Sequence, residues 1–278
     1  MSEHMIPNLR HTIEAFVAED VGRGDRTTEA VVPSDATGRA RIEARERFVV
    51  AGLEAARLCF EAAGGGLEWS VEVPDGHVAE AGATIVRMSG PLRTILTGER
   101  TALNLLARLS GVATMTSTYV ERIEGTGARL VDTRKTTPGL RSLEKYAVTL
   151  GGATNHRHGL DDGILIKDNH IAAAGSITEA VYRAKGVPHG LKVEVEVEDL
   201  DGLDEAIAAG ADAVLLDNMT PEMVSDAVMR AGGKALLEAS GGITLENVRS
   251  YAETGVDLIS SGALTHSAGA VDLALEVE

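Results

Sequence analysis

The sequence predicts an α/β protein of two domains, an α+β layer followed by a closed or nearly closed barrel of parallel strands. Three observations carry this. The chain has 278 residues and is 44% hydrophobic, enough for one large barrel or two unequal domains. Its first part reads as short strands and turns around helices. Its second part repeats a strand-then-helix alternation, and strands joined in that way run parallel.

In chain order, Pro7 to Glu19 has helical periodicity, and GRGD at Gly22 to Asp25 is a turn, because it lacks the strand and helix that flank a dinucleotide-binding glycine loop. RARIEARERFVVAG and WSVEVPDGHVAEAGATIVRMSG are rich in strand, with a helix over Leu53 to Ala63 between them. From Glu99 a long helix begins with Leu103, Leu106, Ala107 and Leu109 on one face, and carries the chain from the first domain, residues 1–106, into the second, residues 107–278. Six apolar runs come after it, LVDTR, DGILIK, KVEVEV, AVLLDN, LLEAS and DLISSG, most with a helical segment behind them. A Gly, Asp or Asn at the end of each run favours a barrel over an open sheet.

Composition narrows the function. A formal net charge of −16 with 3% aromatic residues excludes a nucleic-acid surface, which needs a basic stripe and stacking platforms. The single cysteine, Cys59, lies in an apolar stretch and is expected as a buried thiol. With no cleavable leader and no apolar span, the chain is expected to be soluble and cytoplasmic, without a membrane partner.

Reactive groups in such barrels sit at the carboxyl ends of the strands. Arg134, Lys135, Arg141, Arg157 and Lys167 crowd one segment of this acidic chain, joined by His156, His158 and His170. The arrangement predicts a cationic pocket for a small polyanion, since guanidinium forks grip carboxylate and phosphate while lysine supplies a movable charge. Arg141 and Lys145 read as surface residues or ion pairs, whereas Arg134, Lys135 and Lys167 close apolar strands, where a charge needs a specific match. In LKVEVEVE both faces of the strand are covered, so Val193, Val195 and Val197 should face the helices and Glu194 and Glu196 the barrel interior. Glu194 could neutralise the basic groups. Glu196 and Asp217, nearest the strand ends, suit ribose hydroxyls or a magnesium ion carried in by a diphosphate. Turns at Ser240, Gly241 and Gly242 and at Ser261, Gly262 and Ala263, each expected before a helix, offer backbone amides to a phosphate. His4, His11, His77 and His189 are isolated, no histidine or cysteine pair has zinc-ligand spacing, and no serine nucleophile motif occurs.

The motifs EDVGRGDRTT, GERTALNLLARLSGVAT, DTRKTTPGLR, GGATNHRHGLDDGILIKDNH, VEVEVE, LLDN, EASGGI and SSGALTHS run in order from Glu19 to about Ser267. In these the chain resembles the quinolinate phosphoribosyltransferases. The resemblance implies an N-terminal open α/β sandwich and an incomplete, six-stranded α/β barrel, with the last few residues packing back on the first domain. It implies transfer of phosphoribose from phosphoribosyl pyrophosphate to quinolinate with decarboxylation, giving nicotinate mononucleotide, diphosphate and carbon dioxide for NAD biosynthesis. Thr133, Arg134, Lys135, His156, Arg157 and Lys167 would bind the carboxylates and diphosphate, and Glu196 and Asp217 the ribose and, indirectly, magnesium. The glycine turns would take the 5′-phosphate, and Arg100 would come from the neighbouring subunit of a homodimer or larger homo-oligomer. Lys135, Lys167, Glu196 and Asp217 are the expected catalytic set, and no prosthetic group is needed. Two alternatives stay open: a related phosphoribosyltransferase of the kind found with molybdate transport genes, and a non-catalytic barrel that binds phosphosugars.

Overall fold

A computed structural model describes residues 8–188 and 190–278, so that the expectations for His4 and His189 lie outside the described residues. The chain divides into two compact units. The first takes the described residues up to Ser117, Thr137–Gly152 and Ala268–Glu278, and the second takes Thr118–Thr136 and Ala153–Ser267.

The first unit opens with α1 (Leu9–Val21), which packs its Leu9, Ile13 and Val17 stripe inward, and α2 (Arg26–Val31). The expected turn sits between them, and its last residue, Asp25, caps α2 by accepting from the Thr28 amide at 3.0 Å. Strands β1 (Thr37–Ala44) and β2 (Phe48–Val49) precede α3 (Leu53–Ala62), and β3 (Glu68–Val71), β4 (Val78–Ala79) and β5 (Thr84–Pro91) come after it. In β1 the alternation is plain: Ala40, Ile42 and Ala44 are buried, and the arginines and glutamate between them are not. α3 buries Leu53, Ala55, Ala56, Leu58, Cys59 and Phe60, so the cysteine is buried as expected.

The long helix α4 (Leu92–Arg122) starts seven residues before the expected Glu99. Its first turns contain Thr94, Thr97 and Gly98, which suppress the helical signal, yet Gly98 serves close packing: a Cβ there would lie 2.7 Å from the Phe60 ring. Two later segments complete this unit, α5 (Arg141–Leu150) and the C-terminal strand β12 (Leu273–Val277). The sheet order is β12-β1-β5-β3, antiparallel throughout, with β2 and β4 forming a separate pair. α5 is tied to α4 through a wholly buried Glu144, which accepts from Arg108 (2.8 Å from Nη2) and from the Thr137 amide and hydroxyl (3.0 and 2.9 Å). Lys145 beside it is buried too, which differs from the surface half of its sequence reading as a surface residue or ion pair. It lies one turn before the buried Val148, away from the Leu143 and Ala147 line, so the buried part of α5 is wider than a single apolar stripe.

The second unit is built on six parallel strands, β6 (Arg129–Val131), β7 (Ile164–Ile166), β8 (Val193–Val197), β9 (Ala213–Asp217), β10 (Leu236–Ser240) and β11 (Leu258–Ser260), one for each apolar run of the sequence. Helices α6 (Asp168–Ala174), α7 (Ile177–Lys185), α8 (Leu200–Ala208), α9 (Pro221–Ala231), α10 (Val248–Ala252) and α11 (Ala263–His266) connect or follow them. Ser176, Asp199 and Thr220 cap α7, α8 and α9 with their side chains. The sheet order is β6-β11-β10-β9-β8-β7. The last strand therefore pairs with the first, as in a barrel, and the neighbours in chain order that do not pair are β6 and β7. One parallel bridge, Val131 to Thr154, lies along that seam.

Replacing Arg108 with methionine should leave the buried Glu144 carboxylate without its guanidinium, and such losses cost about 3 kcal/mol. Urea denaturation should show the midpoint fall accordingly; an unchanged midpoint would mean that the pair contributes nothing net.

Candidate active site

At the carboxyl ends of the six strands lies a cavity of about 390 Å³, within the second unit. Among its lining residues are Thr133, Arg134, Lys135, His156, Arg157, Lys167, Glu196, Asp217 and Ser240, all expected from the sequence. Asp132, Glu238 and Ser260 also line it, and sequence reasoning passed over them. A signal existed for Glu238, a lone carboxylate inside the apolar run LLEAS.

Asp132 organises the segment that fills the seam. It is wholly buried, and accepts from the Asn155 side-chain amide at 2.7 Å and the His156 backbone amide at 2.9 Å. The next turn is held by Asp162, which accepts from the amides of His158 and Gly159 at 2.6 and 2.8 Å; these bonds lower its pKa against the opposing effect of desolvation. His156 and Arg157 are thereby fixed at the cavity wall. Burial and the neighbouring Arg134 guanidinium both lower the pKa of Arg157, whose Nη1 donates to the Gly163 carbonyl at 3.0 Å. Glu194 and Asp162 oppose this effect, and guanidinium groups lining a partly buried cavity suit an anionic ligand.

Lys167 comes directly after β7 and pairs with Glu196 of β8. Glu194, two residues earlier on the same inward face, does not neutralise a lysine or arginine by direct bonding; its Oε2 meets His156 Nε2 at 3.0 Å. His156 Nδ1 accepts from the Arg157 amide at 2.8 Å, so both ring nitrogens face protein groups. His170, grouped with the cations by sequence, instead accepts from the Lys167 amide at 2.9 Å and finishes the first turn of α6.

Asp217 closes β9, with the Asn218 side-chain amide donating to it at 2.8 Å. Glu196 and Asp217 stand on adjacent strands, and hard carboxylate oxygens in that arrangement fit a hydrated magnesium ion or ribose hydroxyls.

The two glycine turns differ from expectation in the helices behind them. α10 begins only at Val248, and α11 has four residues, so neither supplies a long run of aligned peptide dipoles. The turns themselves are specific. Gly241 has φ +85°, and a Cβ there would overlap the Asn218 side-chain oxygen; Gly242 is also left-handed. Ser240 accepts from Ser260 at 2.9 Å, and Ser261 donates to the Ile243 carbonyl at 3.2 Å, linking the two turns. Thr265 Oγ1 donates to the Lys135 carbonyl at 2.8 Å, which places the DTRKT loop beside the second turn. Arg100 belongs to the first unit, where its side chain is 66% exposed and has Glu99 at 3.9 Å.

At the cavity floor, His156, Glu194 and Glu238 form a cluster that no sequence spacing announces, because each comes from a different element. Glu238 is 1% exposed, and neither of its oxygens has a hydrogen-bond partner among the described residues. Burial pushes its carboxyl up to about 7; the Glu194 and Asp132 charges add to this, and His156 and Ser260 oppose it.

Comparison with known proteins gives matches over most of the chain. The N-terminal domain of the quinolinate phosphoribosyl transferase family matches residues 25–110 and its C-terminal domain matches residues 112–276. The chain is 45% identical to a probable nicotinate-nucleotide pyrophosphorylase (carboxylating) of Synechocystis, over 95% of this chain and 91% of that one. It is 43% identical to the Bacillus subtilis protein of the same name, over 97% and 93%. The solved nicotinate-nucleotide pyrophosphorylase of Francisella tularensis superposes with a TM-score of 0.94 at 41% identity, over 98% of each chain.

Because the Glu238 carboxyl is raised from its ordinary 4.5, its ionisation opposes folding: the cost is absent below pH 4.5 and complete once pH exceeds about 7. Glu238→Gln should accordingly raise the melting temperature by more at pH 8 than at pH 5. Equal shifts at both pH values would show that the carboxyl titrates normally.

Proposed function

The chain belongs to the quinolinate phosphoribosyl transferase family, and on that premise we propose that it makes nicotinate mononucleotide from quinolinate and phosphoribosyl pyrophosphate, releasing diphosphate and carbon dioxide. The observation that supports this best is the cavity at the strand ends, where four cationic side chains, Arg134, Lys135, Arg157 and Lys167, converge in a chain of net charge −16. Quinolinate brings two carboxylates and its partner a diphosphate, so charge complementarity is nearly complete. A related phosphoribosyltransferase would alter the carboxylate-binding arginines, and a non-catalytic barrel would lack some of Lys135, Lys167, Glu196 or Asp217, all of which are present.

Arg134, Arg157 and Thr133 hold the quinolinate carboxylates, with the His156 ring against the pyridine. Lys135 and Lys167 face the diphosphate. Glu196 and Asp217 bind the ribose hydroxyls and would hold, indirectly through the substrate diphosphate and water, the magnesium ion that accompanies phosphoribosyl pyrophosphate. When bound, that ion neutralises charge on the departing diphosphate. The turns at Ser240, Gly241 and Gly242 and at Ser261, Gly262 and Ala263 accept the 5′-phosphate on backbone N–H groups.

The pyridine nitrogen attacks ribose C1 as the C1–O bond to diphosphate breaks with its electron pair. Glu196 and Asp217, close to C1, stabilise the positive charge that develops on the sugar. The ribosylated nitrogen is then cationic, so the C2 carboxylate can leave as carbon dioxide while its bonding pair stays at C2 beside the charge. C2 finally takes a proton. Lys135 or Lys167 balances charge during this second step. Arg100 reaches the site from the neighbouring copy in a homodimer or larger homo-oligomer, and the enzyme works in the cytoplasm without a prosthetic group.

Purified protein with quinolinate, phosphoribosyl pyrophosphate and magnesium should yield nicotinate mononucleotide and carbon dioxide in equal amounts, and nicotinate in place of quinolinate should yield nothing. Activity with nicotinate alone would move the protein to another transferase. Arg134→Ala should raise KM for quinolinate at least about tenfold, the loss expected for one charge-assisted contact; an unchanged KM would take Arg134 out of the carboxylate site. Arg100→Ala and Lys167→Ala, each inactive alone, should regain part of the activity when refolded together, because a mixed assembly then contains one intact site. No recovery would place Arg100 in its own subunit's chemistry or outside it.

A further inference from the structure

The ribosyl transfer and loss of carbon dioxide leave one requirement open, the source of the proton that ends on C2. The cationic groups of the upper cavity are poor donors. Arg134 and Arg157 do not give up protons near neutrality, and Lys167 is held as an ion pair by Glu196. Asp132 uses its two oxygens on the Asn155 and His156 N–H groups. His156 is also blocked: its Nδ1 accepts from the Arg157 amide, so its one proton sits on Nε2 and points at Glu194. The same tautomer argues against a metal ion in the cluster of His156, Glu194 and Glu238, since a metal on Nε2 requires the proton on Nδ1, where an N–H already points.

Glu238 is left. Its Oε2 lies 3.5 Å from His156 Nε2, whose proton is already donated to Glu194, and the Ser260 hydroxyl donates to Ser240 instead. Facing Glu238 are Glu194 from β8, Asp132 after β6, His156 from the seam and Ser260 from β11. A buried carboxyl facing two other carboxylates, whose effect with burial outweighs that of His156 and the Ser260 hydroxyl, is most stable holding a proton.

Its position adds a second argument. A further cavity of about 500 Å³ occupies the opposite end of the barrel, beside the amino ends of the strands, with Asp162, Lys192 and Asp212 at its wall. The upper and lower cavities share three residues, His156, Arg157 and Glu238. Glu238 is thus a partition with substrate on one side and a polar cavity on the other.

Building on the proposed function, we propose that Glu238 is the general acid of the decarboxylation, delivering its proton to C2 from below and recovering it from water in the lower cavity. As the C2–carboxylate bond breaks, its electron pair remains on C2 and takes the Glu238 proton, leaving a C–H bond and a Glu238 carboxylate. Repulsion from Glu194 and Asp132 then drives uptake of one proton from water, and no further reactant is needed.

The test is single-turnover quench-flow that follows diphosphate and nicotinate mononucleotide separately. Glu238→Gln should release diphosphate at the wild-type rate, which also shows that it is folded, while mononucleotide formation falls about 100-fold and the ribosylated dicarboxylate accumulates. In the wild type the decarboxylation rate should fall as pH rises through neutrality, and Glu238→Asp should retain that limb, which Glu238→Gln loses. Wild-type decarboxylation in Glu238→Gln overturns the proposal, as does a wild-type rate that is flat from about pH 6 to 9. Should the wild type make no mononucleotide from quinolinate, the functional reading itself falls; if it does so and Glu238→Gln matches it, only the assignment of Glu238 falls.

Discussion

The two hydrogen bonds made by Asp132 are the constraint on which the second unit depends. Six strands surround the centre, and β6 and β7 do not pair, so something other than a strand must occupy the space between them. Residues 153–158 do so, bridged to β6 at Thr154 and drawn inward by Asp132 through Asn155 and the His156 amide. An eight-stranded barrel fills its middle with aliphatic layers. Here the open seam admits an imidazole and a guanidinium in their place, and polar chemistry reaches the barrel axis.

That substitution explains the arrangement of charge. The upper cavity carries arginines and lysines, and the layer beneath it carries Asp132, Glu194 and Glu238 around one imidazole. Cations placed above carboxylates are partly compensated before any ligand arrives, which limits the cost of burying them. The compensation is incomplete at the top, where the Arg134 charge and burial depress Arg157, and at the bottom, where Glu238 has no donor among the described residues. An anionic substrate satisfies the first imbalance. A proton satisfies the second.

The first unit relies on a different device. Glu144 gathers Arg108 and Thr137 into one wholly buried knot, and this joins a segment from the middle of the chain to a helix that begins far earlier. Close backbone approach does the same work elsewhere: a Cβ on Gly111 of α4 would overlap the Gly269 carbonyl. Among the described residues no helix is long and apolar enough to cross a membrane.

Local pattern alone determined a great deal here. Six apolar runs became six parallel strands, inward glutamates in VEVEVE followed from alternation, and charges after apolar runs marked Arg134, Lys135, Lys167, Glu196 and Asp217 as cavity residues, because period and strand ends are properties of a few consecutive residues. Tertiary structure decided the rest. It put the seam between β6 and β7, turned His170 into a helix-capping acceptor and His156 into a partner of Glu194, and buried Lys145. It also made Glu238 unlike the other glutamates of the chain. Its protonation depends on the summed field and hydrogen bonds of groups on two other strands, the residue after β6 and the seam, and no window of sequence contains that sum.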